Sequence, residues 1–137
     1  MPHDPARVAD TKPWLVKAAE DIRAGANQLS ATPPYLADAV FHAQQACEKA
    51  MKGFLAWHDR PFGKTHNLVE LGRACVSIAP DLEAVLIQAG PLTEYAWRFR
   101  YPGDPDGPSP EEARLALAVA REVLGALLAR LPGEIRP

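Results

Sequence analysis

The strongest constraint on the fold of this chain is the helical spacing of residues 36–54. Apolar residues recur there at steps of three and four, which places them on one side of a helix: Leu36, Ala39, Val40, Ala43, Cys47, Ala50 and Phe54. Polar residues recur at the same steps on another side: Asp38, His42, Gln45, Lys49 and Lys52. The pattern therefore predicts a helix with a buried face and an ordered polar face. That polar face suits an anionic ligand or a polar helix partner, and the alternative is an ordinary solvated face.

Two predicted helices occupy the first half of the chain. The first begins at Asp10 or Thr11, with Pro13 in its first turn, where a missing N–H costs nothing. Its predicted apolar stripe consists of Trp14, Ala18, Ile22, Ala26 and Leu29. It ends before the proline pair at residues 33–34, which cannot continue a helix. The second helix spans residues 35–57.

Two shorter helical patterns follow a predicted loop at residues 59–64. Asn67 and Glu70 have the spacing of a capping box and mark the start of the third helix. Its predicted apolar stripe consists of Leu68, Leu71, Cys75 and Ile78. A fourth helix begins at Pro80, and the Gly-Pro pair at residues 90–91 should kink or interrupt it.

The clearest helix boundary is the segment at residues 109–112, Ser-Pro-Glu-Glu. It combines an N-cap serine, a proline at the first helical position and a glutamate at the third. The helix should run to about residue 131 and bury Ala113, Leu117, Ala120, Leu124, Leu127 and Leu128. No segment alternates apolar and polar residues as a strand does. We therefore expect an all-α fold, an antiparallel up-and-down bundle of four to five helices, as one domain with its core at about residues 12–130.

Composition and motifs exclude several classes of function. The formal net charge of -2 argues against a general polyanion binder, so any nucleotide or nucleic-acid contact should be local. Cys47 and Cys75 lie at apolar helical positions, which suits a reduced, cytoplasmic protein. We expect no secretory signal, because the first residues contain no apolar run, and no apolar stretch approaches the roughly 20 residues of a membrane span. Since metal-ligand spacings, a glycine-rich phosphate loop and a nucleophile elbow are all missing, we expect no metal and no cofactor.

Four motifs occur in a characteristic order along the chain. They are FHAQQACEKAMKGFL at residues 41–55, HNLVEL at 66–71, RYPG at 100–103 and SPEEARLALAVAREVL at 109–124. Together they resemble the HEPN family, a nucleotide-binding domain shared by higher eukaryotes and prokaryotes, and the resemblance covers residues 12–130. It implies a bundle of four to five helices that is commonly a homodimer. Many bacterial members of the family pair with a minimal nucleotidyltransferase as a toxin–antitoxin system, and others are RNases.

The chain departs from the family at the RNase motif. In RNase members an arginine is followed, after four to six residues, by a histidine, and Arg100 matches that arginine. The positions where the histidine should follow hold Pro105, Asp106 and Gly107, and Arg98 also lacks its histidine. Asp106 would be a poor proton donor, because an ordinary aspartate is ionised near neutral pH. We therefore expect no catalytic residue and no standard RNase activity.

The remaining polar residues predict a binding site without catalysis. Arg100 can offer a planar, bidentate fork to a phosphate, and Tyr101 can stack on a base. The predicted ligand-binding residues are Arg100, Tyr101, Arg98, Lys49, Lys52, His42, Gln45 and His66. Each of them also has a structural interpretation. Arg98 and Arg100 would then pair with Glu94 or Glu48, and the aromatic residues would pack in the core or in a dimer seam.

Three hypotheses from different classes follow. The first is a HEPN module that binds nucleotide or RNA and acts with a nucleotidyltransferase partner, which requires an exposed Arg100. The second is a structural homodimeric interaction module, which requires Lys49, His42 and Arg100 to form protein salt bridges. The third is an RNase with a displaced proton donor, which requires His66 within reach of Arg100. A homodimer, with residues 95–101 at its seam, is compatible with all three.

Overall fold

The computed structural model describes residues 2–103 and 106–137, and these fold into a helical bundle. The α-helices are α1 (Pro5–Ser30), α2 (Leu36–Trp57), α3 (Leu68–Ile78), α4 (Glu83–Leu86) and α5 (Pro110–Leu128). Short 3₁₀ segments add Pro80–Leu82, Ile87–Ala96 and Gly133–Ile135. The described residues contain no strand, so the all-α prediction is confirmed. Asp104 and Pro105, which the sequence assigns to the loop after Arg100, lie outside the described residues.

Helix α1 begins earlier than its sequence pattern predicts. It starts at Pro5, and the Asp4 side chain accepts a hydrogen bond of 3.0 Å from the Ala6 backbone N–H. The prediction of a start at residues 10–11 was wrong because Asp4 and Pro5 supply the N-cap and the first-turn proline. Pro13 therefore lies inside the helix. The buried face is also rotated from the predicted stripe, and it consists of Thr11, Leu15, Ala18, Asp21 and Gly25.

Helix α2 is the centre of the bundle and agrees with its prediction within one residue. It packs against α1, α3, α5 and the 3₁₀ segment Ile87–Ala96. The apolar face predicted for it is almost entirely buried, from Ala39 to Phe54. The helices approach closely at Gly25, where an added Cβ would lie 2.7 Å from a Leu117 methyl carbon. A side chain at this position would force Leu117 to move and would crowd Ala39 O and His42 Cβ, each 3.3 Å away, so glycine favours the close packing of α1 on α2 and α5.

Helix α3 has only half of the predicted capping box. Asn67 Oδ1 accepts hydrogen bonds from the backbone N–H groups of Val69 (3.0 Å) and Glu70 (3.2 Å), as an N-cap should. In a full capping box the Glu70 side chain would accept a hydrogen bond from the Asn67 N–H. Here the Asn67 N–H donates to Thr65 Oγ1 at 3.0 Å instead. A threonine before the helix thus takes the role that sequence spacing assigned to Glu70.

The fourth predicted helix is mostly not an α-helix. A single α turn at Glu83–Leu86 passes into the 3₁₀ segment Ile87–Ala96, and the Gly-Pro pair at residues 90–91 lies inside that segment. Pro91 lacks the N–H that an α-helix needs and crowds the preceding turn. The predicted interruption is therefore present as a change of helix type, and this narrower segment leads directly to Arg98 and Arg100.

Helix α5 begins as its sequence predicts. The Ser109 hydroxyl oxygen accepts a hydrogen bond of 3.0 Å from the Glu112 N–H, and Pro110 is the first helical residue. The helix ends at Leu128, three residues before the predicted end, and its inward face packs on α2. In the part of the chain that the structure describes, no helix has both the length and the apolar character to cross a bilayer.

Candidate functional site

The first cluster on the polar face of α2 joins that helix to α1. Asp21, a buried residue of α1, accepts hydrogen bonds from His42 Nδ1 at 2.8 Å and from Lys49 Nζ at 2.6 Å. Both partners were predicted ligand-binding residues. Both side chains instead contact a carboxylate of the same chain, and the half-buried ion pair of Lys49 with Asp21 leaves little charge for an outside ligand. This end of the polar face is therefore a contact between helices.

A second cluster surrounds Glu48 on the same helix. Its carboxylate accepts hydrogen bonds from His66 Nδ1 (2.6 Å), Lys52 Nζ (3.0 Å) and Gln44 Nε2 (3.2 Å). Burial raises the pKa of Glu48, but the hydrogen bonds from His66, Lys52 and Gln44 together outweigh it and hold that pKa below its ordinary value. Glu48 is therefore a buried carboxylate that stays ionised because three donors surround it. We call Glu48, Gln44, Lys52 and His66 the Glu48 cluster.

Two further predicted ligand residues lie in or beside the Glu48 cluster. Lys52 is only 6% exposed, and its ammonium lies 5.9 Å from the Trp14 ring and 5.7 Å from the Phe62 ring. Between a carboxylate and two aromatic rings, Lys52 is shielded from ligands in solution. Gln45 is half-buried, and its side-chain amide donates to Gln44 Oε1 at 2.7 Å.

The segment at residues 97–103 differs in keeping its polar groups at the surface. Trp97 is 58% exposed and Tyr101 is 80% exposed. With Arg98, Phe99, Pro102 and Gly103 they line a shallow groove of about 360 Å³. We call these residues, together with Arg100, the 97–103 surface. Aromatic faces interleaved with arginines are the composition that binds nucleotide bases and phosphates.

Arg100 lies against α2 without an acidic partner among the described residues. Its guanidinium carbon is 3.6 Å from the centroid of the Phe41 ring, a close cation–π contact. The ring supports one face of the planar group and leaves its N–H edges available. The preceding residue, Phe99, has a φ of 66°, in the left-handed region that costs a non-glycine residue about 1–2 kcal/mol.

Arg98, unlike Arg100, has an acidic partner, which is the pairing with Glu94 that the structural alternative predicted. Its Nη1 donates to Glu94 Oε1 at 2.9 Å, and its guanidinium lies 4.4 Å from the Phe99 ring. The ion pair is exposed at both ends and spans one helical turn, so water screens it. Of the two suggested pairings, Arg98 with Glu94 is therefore present. Arg100 packs on Phe41 and does not pair with Glu48.

Sequence reasoning missed the residues that organise the polar face. Asp21 and Glu48 are buried carboxylates, and Phe41 is the aromatic support of Arg100. Glu48 was considered only as a partner of Arg98 or Arg100, and Asp21 and Phe41 were not considered as contacts. One signal was available, because Asp21 and Glu48 interrupt stretches of apolar helical positions. An acidic residue at such a position needs several donors around it.

The described residues offer no obvious place for a metal ion. No group of three or more histidine, cysteine, aspartate or glutamate side chains in the described ranges is arranged to hold one. Cys47 and Cys75 are free and buried, and burial raises the pKa of each thiol to about 12. Both therefore remain protonated and unreactive at neutral pH.

Comparison with known proteins supports the resemblance seen in the four motifs. The sequence profile of the HEPN domain matches residues 11–131, which is nearly the whole chain. No curated protein and no solved structure gives a significant match. The matched region covers every α-helix except the first turns of α1, so the helical fold and the family match describe the same domain. The chain therefore belongs to the HEPN family.

Proposed function

We propose that this HEPN protein binds nucleotide or RNA at the 97–103 surface and does not cleave it. The observation that carries this proposal is the exposed guanidinium of Arg100, which rests on the Phe41 ring and has no acidic partner among the described residues. In the chain it follows Trp97 by three positions and directly precedes Tyr101, and both aromatic side chains are exposed.

The chemistry of the 97–103 surface suits a nucleotide. The guanidinium of Arg100 would bind a phosphate through two parallel N–H bonds, since its planar fork matches the phosphate oxygens. Trp97 or Tyr101 would stack on the attached base, an interaction that typically contributes about 1–3 kcal/mol per base and tolerates any base. Arg98 adds positive charge at the rim, although Glu94 partly neutralises it.

The groups near Arg100 support the proposed absence of cleavage. Asp106 is exposed, and no histidine follows His66 in the chain. His66 contacts α2 at Glu48, whereas Arg100 contacts it at Phe41, seven residues away. That spacing corresponds to about 10 Å along the helix axis. His66 and Arg100 therefore contact α2 at separate points, and His66 Nδ1 is already bonded to Glu48, which supports binding over the displaced-donor RNase.

Family membership supports the proposed partners. Bacterial HEPN proteins commonly act as homodimers and pair with a minimal nucleotidyltransferase in toxin–antitoxin systems. We propose the same partnership here, with the bound nucleotide or RNA end presented to the nucleotidyltransferase. The large exposed area of Trp97 and Tyr101 supports a contact with a second copy or with that partner at the edge of the site.

A second candidate function is the structural interaction module. It predicted that His42 and Lys49 would form protein salt bridges, and both contact Asp21. Its third requirement, a salt bridge from Arg100, finds no support among the described residues. Because the bridges of His42 and Lys49 lie within one chain, they stabilise the bundle and do not reach a partner. Under this hypothesis the 97–103 surface would have to supply the dimer seam.

Tryptophan fluorescence can test the proposal directly. Trp97 is the most exposed of the three tryptophans, since Trp57 is buried and Trp14 is half-buried. Adenosine and uridine monophosphates and a short RNA would be titrated into the native protein and into Arg100→Ala. Arg121→Ala, which removes an exposed arginine of α5, is the matched control. The same samples would be run on a gel to detect RNA cleavage.

We expect saturable quenching in the native protein and in Arg121→Ala, and intact RNA throughout. Arg100→Ala should bind at least about tenfold more weakly, because a hydrogen-bonded charge pair with the phosphate is lost. RNA cleavage that disappears in Arg100→Ala would revive the RNase hypothesis. A flat response to every ligand would overturn the proposal in favour of the interaction module.

A further inference from the structure

His66 and Glu48 form a carboxylate–histidine pair that opens to the surface. Glu48 is buried, whereas the His66 side chain is 59% exposed, and the bond between Glu48 Oε1 and His66 Nδ1 is 2.6 Å long. The backbone carbonyl of His66 is also fixed, since it accepts a bond of 3.3 Å from Gln44 Nε2. Two attachments to α2 therefore set the position of this exposed ring.

The pairing determines which ring nitrogen faces outward. An ionised carboxylate only accepts hydrogen bonds, so His66 Nδ1 carries the proton that it donates to Glu48. The other nitrogen, Nε2, has no partner in the described part of the chain. It presents a lone pair in the neutral ring and an N–H donor in the protonated ring. An oriented, surface-facing Nε2 is suited to contact a polar ligand.

His66 and Arg100 lie over the same side of α2. Their contact points, Glu48 and Phe41, are seven residues apart, which is nearly two full helical turns. Gln45 lies on the same side between them and is half-buried, with its amide nitrogen donating to Gln44. These three side chains thus form a polar line that runs from the 97–103 surface to the Glu48 cluster.

The charges around His66 favour an anion. Lys52 offsets the charge of Glu48 at 3.0 Å, so the buried carboxylate does not repel a phosphate as a free carboxylate would. Lys64, in the same connection between helices, is exposed and adds a positive charge two residues away.

We infer that His66 is a second ligand contact, and that the ligand is single-stranded RNA of two or more nucleotides. This inference rests on the proposed function. The 97–103 surface already supplies the phosphate and base contacts of one nucleotide. The point where His66 contacts α2 lies about 10 Å along the helix axis from the contact point of Arg100. A ligand that extends along α2 would bring the phosphate or ribose of a next nucleotide to His66. Glu48 acts through His66 as a positioning residue.

The contributions of Arg100 and His66 can be separated by comparing the affinities for uridine monophosphate and for a uridine tetranucleotide. Both ligands would be titrated into the native protein, His66→Ala and Arg100→Ala. His58→Ala is the matched control, because His58 belongs to the same connection but packs on Phe54, with ring centroids 4.6 Å apart. His66→Ala should fold, since Glu48 keeps its bonds from Lys52 and Gln44. Circular dichroism would check this.

We expect the native protein to bind the tetranucleotide more tightly than the monophosphate. His66→Ala should lose about tenfold in tetranucleotide affinity and leave the monophosphate unchanged, because only the longer ligand reaches His66. Arg100→Ala should weaken the binding of both ligands, and His58→Ala should weaken the binding of neither. Equal tetranucleotide affinities of the native protein and His66→Ala, with Arg100→Ala still weakened, would overturn this inference alone. Absence of binding by either ligand would overturn the proposed function and this inference together.

Discussion

The polar face of α2 and the 97–103 surface use similar residues in opposite ways. On α2 the charges of Lys49 and Lys52 meet buried carboxylates at 2.6 and 3.0 Å. On the 97–103 surface the aromatic side chains are exposed and Arg100 rests on a ring. The regularly spaced polar residues of α2 therefore form contacts within the protein. They do so because a buried charge must be paired. The available groups lie on the irregular segment, where binding residues are usually found.

The largest expected effect is the loss of stability in Glu48→Ala. The change leaves the Lys52 ammonium buried without its carboxylate, which should lower the free energy of unfolding by about 3–5 kcal/mol. Urea denaturation followed by far-UV circular dichroism measures it. Glu20→Ala is the control, because Glu20 pairs with Lys17 on the exposed side of α1 and should cost less than about 1 kcal/mol. Equal losses in the two variants would contradict a structural role for the Glu48 cluster.

A smaller effect concerns the dependence of stability on pH. Because folding lowers the pKa of Glu48 from its ordinary value of 4.5, the ionised carboxylate stabilises the fold above that pH. This stabilisation is lost as the pH falls through the pKa of the folded state. The difference in unfolding free energy between the native protein and Glu48→Gln should therefore shrink below pH 4.5. Urea denaturation at a series of pH values checks this, and a difference that grows in acid would refute it.

The smallest expected effect on stability is that of Tyr101→Ala. Tyr101 is 80% exposed, so its removal should change the free energy of unfolding by less than about 0.5 kcal/mol. Its removal should nevertheless weaken RNA binding by about tenfold, since a stacking contact is lost. Leu115→Ala, at an exposed apolar position of α5, should change neither quantity. A large loss of stability in Tyr101→Ala would show that Tyr101 has a structural role, as the Glu48 cluster has.

Much of the fold could be predicted because its signals are local. The Ser109 cap and the apolar face of α2 each depend on residues within a few positions of one another. The start of α1 was missed since Pro13 and Pro5 both fit a first turn, and spacing alone does not choose between them. The Gly-Pro pair at residues 90–91 predicted an interruption of the fourth helix, but that local pattern did not specify the 3₁₀ geometry of Ile87–Ala96, a segment that packs against α2 and α3.

The site was less predictable because it depends on contacts between distant residues. Asp21 lies far from Lys49 in the chain, and only the packing of α1 on α2 brings them together. Sequence spacing grouped Lys49 and Lys52 on one face, and Glu48 lies one helical turn before Lys52. Nothing in the spacing indicated that Lys49 would meet Asp21 of α1. The resemblance to the family carried the interpretation of Arg100, and its contact with Phe41 became visible only in the fold.

The central claim is that the ligand meets the 97–103 surface while the Asp21 contact stays internal. Two-dimensional ¹H–¹⁵N NMR spectra recorded during an RNA titration test this residue by residue. The account predicts saturable shifts of the Trp97 indole N–H and of the backbone amides of Arg98, Arg100 and Tyr101, with Asp21 and Lys49 little changed. Shifts centred on Asp21 and Lys49, with the signals of residues 97–103 unmoved, would contradict it.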